Sequence, residues 1–188
     1  MPARESICSF AAVLMFGLAA FAQGEKTKQP FLIVETAKIE AERTHSTQRM
    51  KFIASSAETG GVTAVWESIE MSGYKTNWHR HNNAEESFYV LEGVLTVKLG
   101  DKTHHLPAGS YVFIARGTPH AQGNLTAKPV RFITTVTPGG IEEFFRDRSE
   151  LLKSVQPGHP GWEIRYRPIL EKHKKWLEII GPWEPEKP

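Results

Sequence analysis

Between residues 50 and 137 the chain repeats one rhythm: a short apolar or alternating run, a glycine turn, and another such run. In "VTAVWESIEM" an extended strand would put Val62, Ala64, Trp66, Ser68 and Glu70 on one face and Thr63, Val65, Glu67, Ile69 and Met71 on the other. The alternation is partial, as expected for a strand that meets protein on both sides. Upstream, "MKFIASS" runs into "AETGG", which predicts a hairpin-type turn. Downstream, Gly93, Gly100, Gly109 and Gly117 punctuate the chain every seven to nine residues, and "VRFITTVTP" adds one more strand. Many short strands with evenly spaced turns predict an all-β sandwich or barrel, with no helix-period segment inside it.

The tail has a different period. "GGIEEFFRDRSELLKSV" carries Ile141, Phe144, Phe145, Leu151 and Leu152 at helical spacing, with glutamates early, where the helix dipole favours them. "QPGHPGW" breaks that helix. "RPILEKHKKWLEII" is a second amphipathic candidate with Pro168 near its start. Both helices are expected to pack on the outside of the β core. The start of the chain is different again. After "MPARES", the run "ICSFAAVLMFGLAA" is apolar over fourteen residues and is followed by "AFA". This predicts a secretory signal cleaved after Ala22, too short for the roughly 20 residues of a bilayer span. A secreted or periplasmic protein follows, with no membrane association after cleavage.

Composition narrows the chemistry. The formal net charge is +2 over 188 residues, which excludes an electrostatic case for nucleic acid. Cys8 is the only cysteine, so the mature chain is expected to have neither disulfides nor thiolate ligands. Any metal would have to be held by nitrogen and oxygen.

One stretch offers such donors. In "HRHNNAEESFYVLEG", His79 and His81 share a face of an extended chain. The polar turn "NNAE" can bring Glu86 back to the same space, with Phe88 and Val90 on its face, while Glu85, Tyr89 and Leu91 point away. In "ARGTPHAQGN", His120 follows a Gly-Thr-Pro turn that would hold it stiffly at a strand entrance.

These residues resemble the cupin superfamily. Its first motif, G-x5-H-x-H-x4-E-x6-G, is matched by Gly73, His79, His81, Glu86 and Gly93. Its second, G-x5-P-x-G-x2-H-x3-N, is matched by Gly109, Gly117, His120 and Asn124, with Ala115 where the family usually has proline. The departure touches the rigidity of a turn and no ligand atom. The flanking "ETGG" and "TPGGIEEFFRD" are similar to small single-domain monocupins of the quercetin dioxygenase-like kind.

The resemblance implies a double-stranded β-helix, or jelly-roll barrel, of six to eight strands with C-terminal helices. It divides the chain into a signal peptide (1–22), an N-terminal extension with a short strand (23–47), the cupin barrel (48–138) and a C-terminal helical segment packed on it (139–188). It also implies one divalent ion, Fe, Mn, Ni, Cu or Zn, held by His79, His81, Glu86 and His120. The implied activity is that of a metal-dependent dioxygenase on a small enolic or phenolic substrate, with Glu86 as catalytic base. The alternatives are a non-catalytic metal- or ligand-binding module, or a cupin isomerase or decarboxylase. A homodimer is expected.

Other residues divide by position. His104 and His105 are adjacent and face opposite ways, so both are assigned to solvent, and His45, His159 and His173 to the surface. Trp78 should face away from the ligands. Phe88, Phe113, Phe132 and Thr134 are candidates for the cavity wall, and Asn124 for fixing the loop that carries His120.

Overall fold

The alternating pattern becomes eleven strands in two antiparallel sheets among the described residues, 31–184, of this computed structural model. The strands are β1 (Glu42–His45), β2 (Gln48–Ala54), β3 (Ala64–Glu70), β4 (Trp78–Arg80), β5 (Glu85–Glu92) and β6 (Val94–Leu99). They continue as β7 (Lys102–Pro107), β8 (Tyr111–Ile114), β9 (His120–Gly123), β10 (Val130–Thr137) and β11 (Glu178–Gly181). One sheet has the order β1-β2-β3-β10-β5-β8 and the other β11-β4-β9-β6-β7. This is a jelly-roll, with more strands than the six to eight expected. The signal segment and Cys8 lie outside the described residues.

The face of β3 that carries Ala64, Trp66, Ser68 and Glu70 is buried, as are Phe88 and Val90 of β5. Val62 does not join that face, because β3 begins only at Ala64. In one half of the interior Phe88 meets Phe132 edge-on at 5.4 Å, among Val90, Leu95, Val97, Ile114 and Val130. Burying each of these side chains stabilises the barrel by about 1.5–3 kcal/mol. In the other half Met50, Ala64, Trp66, Ala84 and Val136 pack against Ile141 and Phe144 from the tail.

Several expectations change. The "AETGG" turn between β2 and β3 is a one-turn helix, α1 (Ser56–Thr59). Ser55 and Glu58 form a capping box at its start, and Gly60 ends it at φ 70°. The short strand of the N-terminal extension is β1. The two tail helices are α2 (Glu142–Leu152) and α3 (Trp162–His173). Pro168 therefore sits inside α3 and not near its start. Trp162, Tyr166 and Ile169 pack on Leu151, Leu152 and Val155, and this burial draws the helix start back to Trp162. "LEII" leaves the helical pattern altogether. β11 pairs with β4, with Ile179 opposite His79, because unbranched helix formers give way there to two β-branched residues before a proline.

α2 rests on β1, and residues of α2 and α3 line the cavity beside the ligand cluster. None of the described helices is long and apolar enough to cross a membrane.

Candidate metal centre

Four short-range decisions bring the ligand candidates together. β4 places His79 and, just past its end, His81 on the inner face. The turn that follows is tied to the tail: Asn83 donates to the Lys175 carbonyl at 2.7 Å. Glu86 then enters as the second residue of β5, facing in, while Glu85 faces out and pairs with Arg116 at 3.1 Å. His120 opens β9 and sits directly opposite His79 in the β4–β9 pair. The turn before it closes through Thr118 N–H to the Ala115 carbonyl at 3.0 Å, so the missing proline leaves the loop shaped. Gly117 N–H donates to the His81 carbonyl at 2.9 Å and joins the two ligand segments directly.

The result is a buried set in which one donor atom from each of His79, His81, Glu86 and His120 lies within 4.8 Å of every other. All three imidazoles are oriented from behind. Nδ1 of His79 donates to the Asn77 carbonyl at 2.7 Å, that of His81 to Trp176 at 2.9 Å and that of His120 to Thr118 at 2.9 Å. With the proton on Nδ1, each Nε2 presents a lone pair to the interior. Yet Nε2 of His120 and of His81 lies 3.0 Å and 3.3 Å from Glu86 Oε2, which is also an acceptor. Acceptors crowded around one point need a cation between them. Three neutral imidazoles and one carboxylate around a divalent ion leave a net charge of about +1 and open positions, which suits Fe, Mn, Ni, Cu or Zn. The donor set therefore fits a metal.

The four groups also perturb one another's charge. Burial alone would raise the Glu86 carboxyl, but His81 and His120 outweigh it and hold the group well below the usual carboxylate range. Burial, reinforced by His120 and His81, pushes His79 far down and keeps it neutral. Burial also acts to lower His81, but Glu86 outweighs it and raises the ring.

The cluster opens into a cavity of about 330 Å³. Its barrel side includes His45, Tyr74 and Gln122; its other side is built by Phe144, Phe145 and Arg148 of α2 and by Trp162 and Tyr166 of α3. Most of these escaped the sequence reading. The available signal was Arg148 lying four residues after Phe144, within the apolar stripe of α2.

The remaining candidates divide. Phe88, Phe132 and Thr134 are buried but lie in the core and do not line the cavity, and Phe113 is 57% exposed on the outer face of β8. β8 alternates, and Ile114 takes the inner face. His45 and His173 are not surface residues: His45 lines the cavity, and His173 is buried against Asp147 at 2.7 Å. His104, His105 and His159 are exposed, and Trp78 faces away from the ligands, under Lys98. Asn124 does not hold the loop before His120. Its side chain joins the turn after β9 to the end of β3, donating to the Glu70 and Lys128 carbonyls at 2.9 Å and 2.7 Å.

Three histidines and one glutamate thus converge inside a two-sheet antiparallel barrel, a set that could hold a metal ion. Residues 65–136 match the family described as the cupin domain, so this stretch of the chain is similar to cupin domains. It is 31% identical over 79 residues to the uncharacterized protein MJ1618 of Methanocaldococcus jannaschii, which covers 42% of this chain and 63% of that protein. Solved structures share the fold. A predicted oxalate decarboxylase from Thermotoga maritima has a TM-score of 0.52 at 19% identity, covering 57% of this chain and 99% of its own. The polyketide cyclase RemF from Streptomyces resistomycificus has a TM-score of 0.51 at 23% identity, covering 57% and 79%. KdgF from Halomonas sp. has a TM-score of 0.54 at 15% identity, covering 60% and 98%. Activities this diverse on one fold carry no single reaction over to this chain.

Proposed function

We propose that the protein is an exported, mononuclear metal-dependent oxidoreductase of the dioxygenase type, acting on a small enolic or phenolic compound. The observation that carries the proposal is the convergence of His79, His81, Glu86 and His120, the first three of which line a cavity that Phe144, Phe145, Trp162 and Tyr166 also line. A divalent ion, when bound, supplies Lewis acidity and, if redox-active, electron transfer to dioxygen.

The chain's own residues supply the rest. The Asn77, Trp176 and Thr118 carbonyls fix the imidazole tautomers and aim each Nε2 inward. Phe144, Phe145 and Tyr166 offer flat faces to a planar substrate, and the two helices limit water in the cavity. Glu86 is the carboxylate at the cluster and the proton acceptor for an enol or phenol hydroxyl. Export is supported by the "ICSFAAVLMFGLAA" run and the "AFA" site.

The test is metal analysis of the purified protein by mass spectrometry, followed by oxygen-electrode measurements with a panel of flavonols and other enols. Stoichiometric metal with substrate-dependent oxygen uptake is expected. A metal-loaded protein that consumes no oxygen with any of them would refute the oxidoreductase assignment and leave a metal-dependent binding module.

A further inference from the structure

We infer that the cavity beside the ligand cluster is built for a small carboxylic acid, with Arg148 as the anchor for its carboxylate. This deepens the proposed function, since it takes the ligand cluster to be the reactive end of the same cavity.

Arg148 lines the cavity, whereas Arg43 and Arg49, which also lack an ion pair among the described residues, do not. Arg80, Arg116, Arg131 and Arg146 each have a carboxylate partner: Glu178, Glu85, Glu67 and Glu42, respectively. Among the described residues Arg148 forms no ion pair. Its Nη2 donates to Gln48 Oε1 at 3.1 Å, and its Nε is buried without a hydrogen-bond partner. A partly desolvated guanidinium without a counter-charge is costly, and the costs fall when an anion enters.

The group is also held in place. Its carbon centre lies 5.3 Å from the Phe144 ring centroid and 5.2 Å from that of Phe145. The hydroxyls of Tyr74 and Tyr166 adjoin it, and burial raises both, so they remain neutral donors at neutral pH. The buried acid Glu70 is bonded to Gln48 and not to Arg148, and burial pushes its carboxyl up to about 8. It stays uncharged at neutral pH and leaves the guanidinium's charge unbalanced. At the rim, Lys75 is paired with Glu184 at 3.1 Å, and Glu163 is exposed.

A planar fork with neighbouring hydroxyl donors and aromatic faces matches the carboxylate of an aromatic or enolic acid. A phosphate dianion would ask for more positive charge than one arginine provides. The ligand's far end, carrying an enol or phenol oxygen, would then lie toward His79, His81 and Glu86.

Isothermal titration calorimetry with benzoate and its neutral counterpart benzamide tests this on both metal-loaded and chelator-treated full chain. Benzoate should bind both forms, and benzamide at least about tenfold more weakly. Arg148→Gln should remove that preference, and Arg148→Lys should retain part of it, with far-UV circular dichroism checking that each variant is folded. The wild-type comparison stands even if a variant does not fold. Equal binding of the two probes, no binding of either, or tighter binding of phenyl phosphate would overturn the assignment. So would a preference for benzoate seen only in metal-loaded protein, which would place the carboxylate at the ligand cluster. A protein that takes up no metal yet shows the Arg148-dependent preference would refute the metal function and leave the anchor standing.

Discussion

Replacing Glu70 by glutamine should make the protein more stable, and increasingly so as pH rises. Glu70 lies on β3, in the middle of its sheet, opposite Gln48 on one side and Val130 on the other. It is fully buried, Oε1 accepts from Gln48 Nε2 at 3.2 Å, and Oε2 has no hydrogen-bond partner. Burial is the main cause that moves its carboxyl from 4.5 to about 8; the hydrogen bond from Gln48 offsets only part of this. The folded protein therefore keeps a proton that the unfolded chain gives up above about 4.5. Between about 4.5 and 8 the native state binds more protons, and stability falls as pH rises. At about 1.4 kcal/mol per pH unit, that interval of about 3.5 units sets an upper bound of about 5 kcal/mol. Glutamine keeps the acceptor for Gln48 and has no proton to lose. His45, lowered from 6.5 to about 4 chiefly by burial, acts in the opposite direction below pH 6.5, but it is common to both proteins and cancels in the comparison. The assay is urea unfolding followed by tryptophan fluorescence at pH 5, 6, 7 and 8, with chelator present so that metal binding does not contribute. Glu70→Gln should gain on the wild type steadily from pH 5 to pH 8. A stability difference that stays constant across that range would refute the buried, proton-holding state of Glu70.

Three further outcomes follow from particular contacts. His81→Ala and His120→Ala should lose bound metal on mass-spectrometric analysis while Glu85→Ala keeps it, because Glu85 faces Arg116; retention in both histidine variants would refute the ligand set. Gly93→Ala should lower the urea midpoint more than Gly100→Ala. Both glycines have positive φ, but a Cβ at 93 would lie 2.6 Å from the Pro129 carbonyl oxygen, whereas nothing lies within 4 Å at 100. Ser55→Ala removes the capping box of α1 and should cost about 1 kcal/mol in the same unfolding assay, with an unchanged midpoint counting against the cap.

Local rules determined a large part of this molecule. Strand alternation placed Trp66, Phe88 and Val90 inside and Glu85, Tyr89 and Leu91 outside, because side chains of an extended backbone must alternate. The same rule put His79 and His81 on one face, and motif spacing added Glu86 and His120, so the four-residue cluster was legible from the sequence. What lay across the cavity was not. Phe113 has the composition of a wall residue but sits on the outer face of β8, and only strand register reveals that. Arg148 is one charged residue in a charged helix until α2 takes its place along the cavity and leaves it beside Phe144 and Tyr74 without a carboxylate. "LEII" continues a helical pattern until pairing with β4 offers its backbone a better set of partners, and that pairing accompanies the approach of the Trp176 carbonyl to His81. Periodicity reports which face of an element is apolar. Which element covers that face, and which polar groups are left facing each other, depends on contacts between residues nearly a hundred positions apart, and only the tertiary structure decides those.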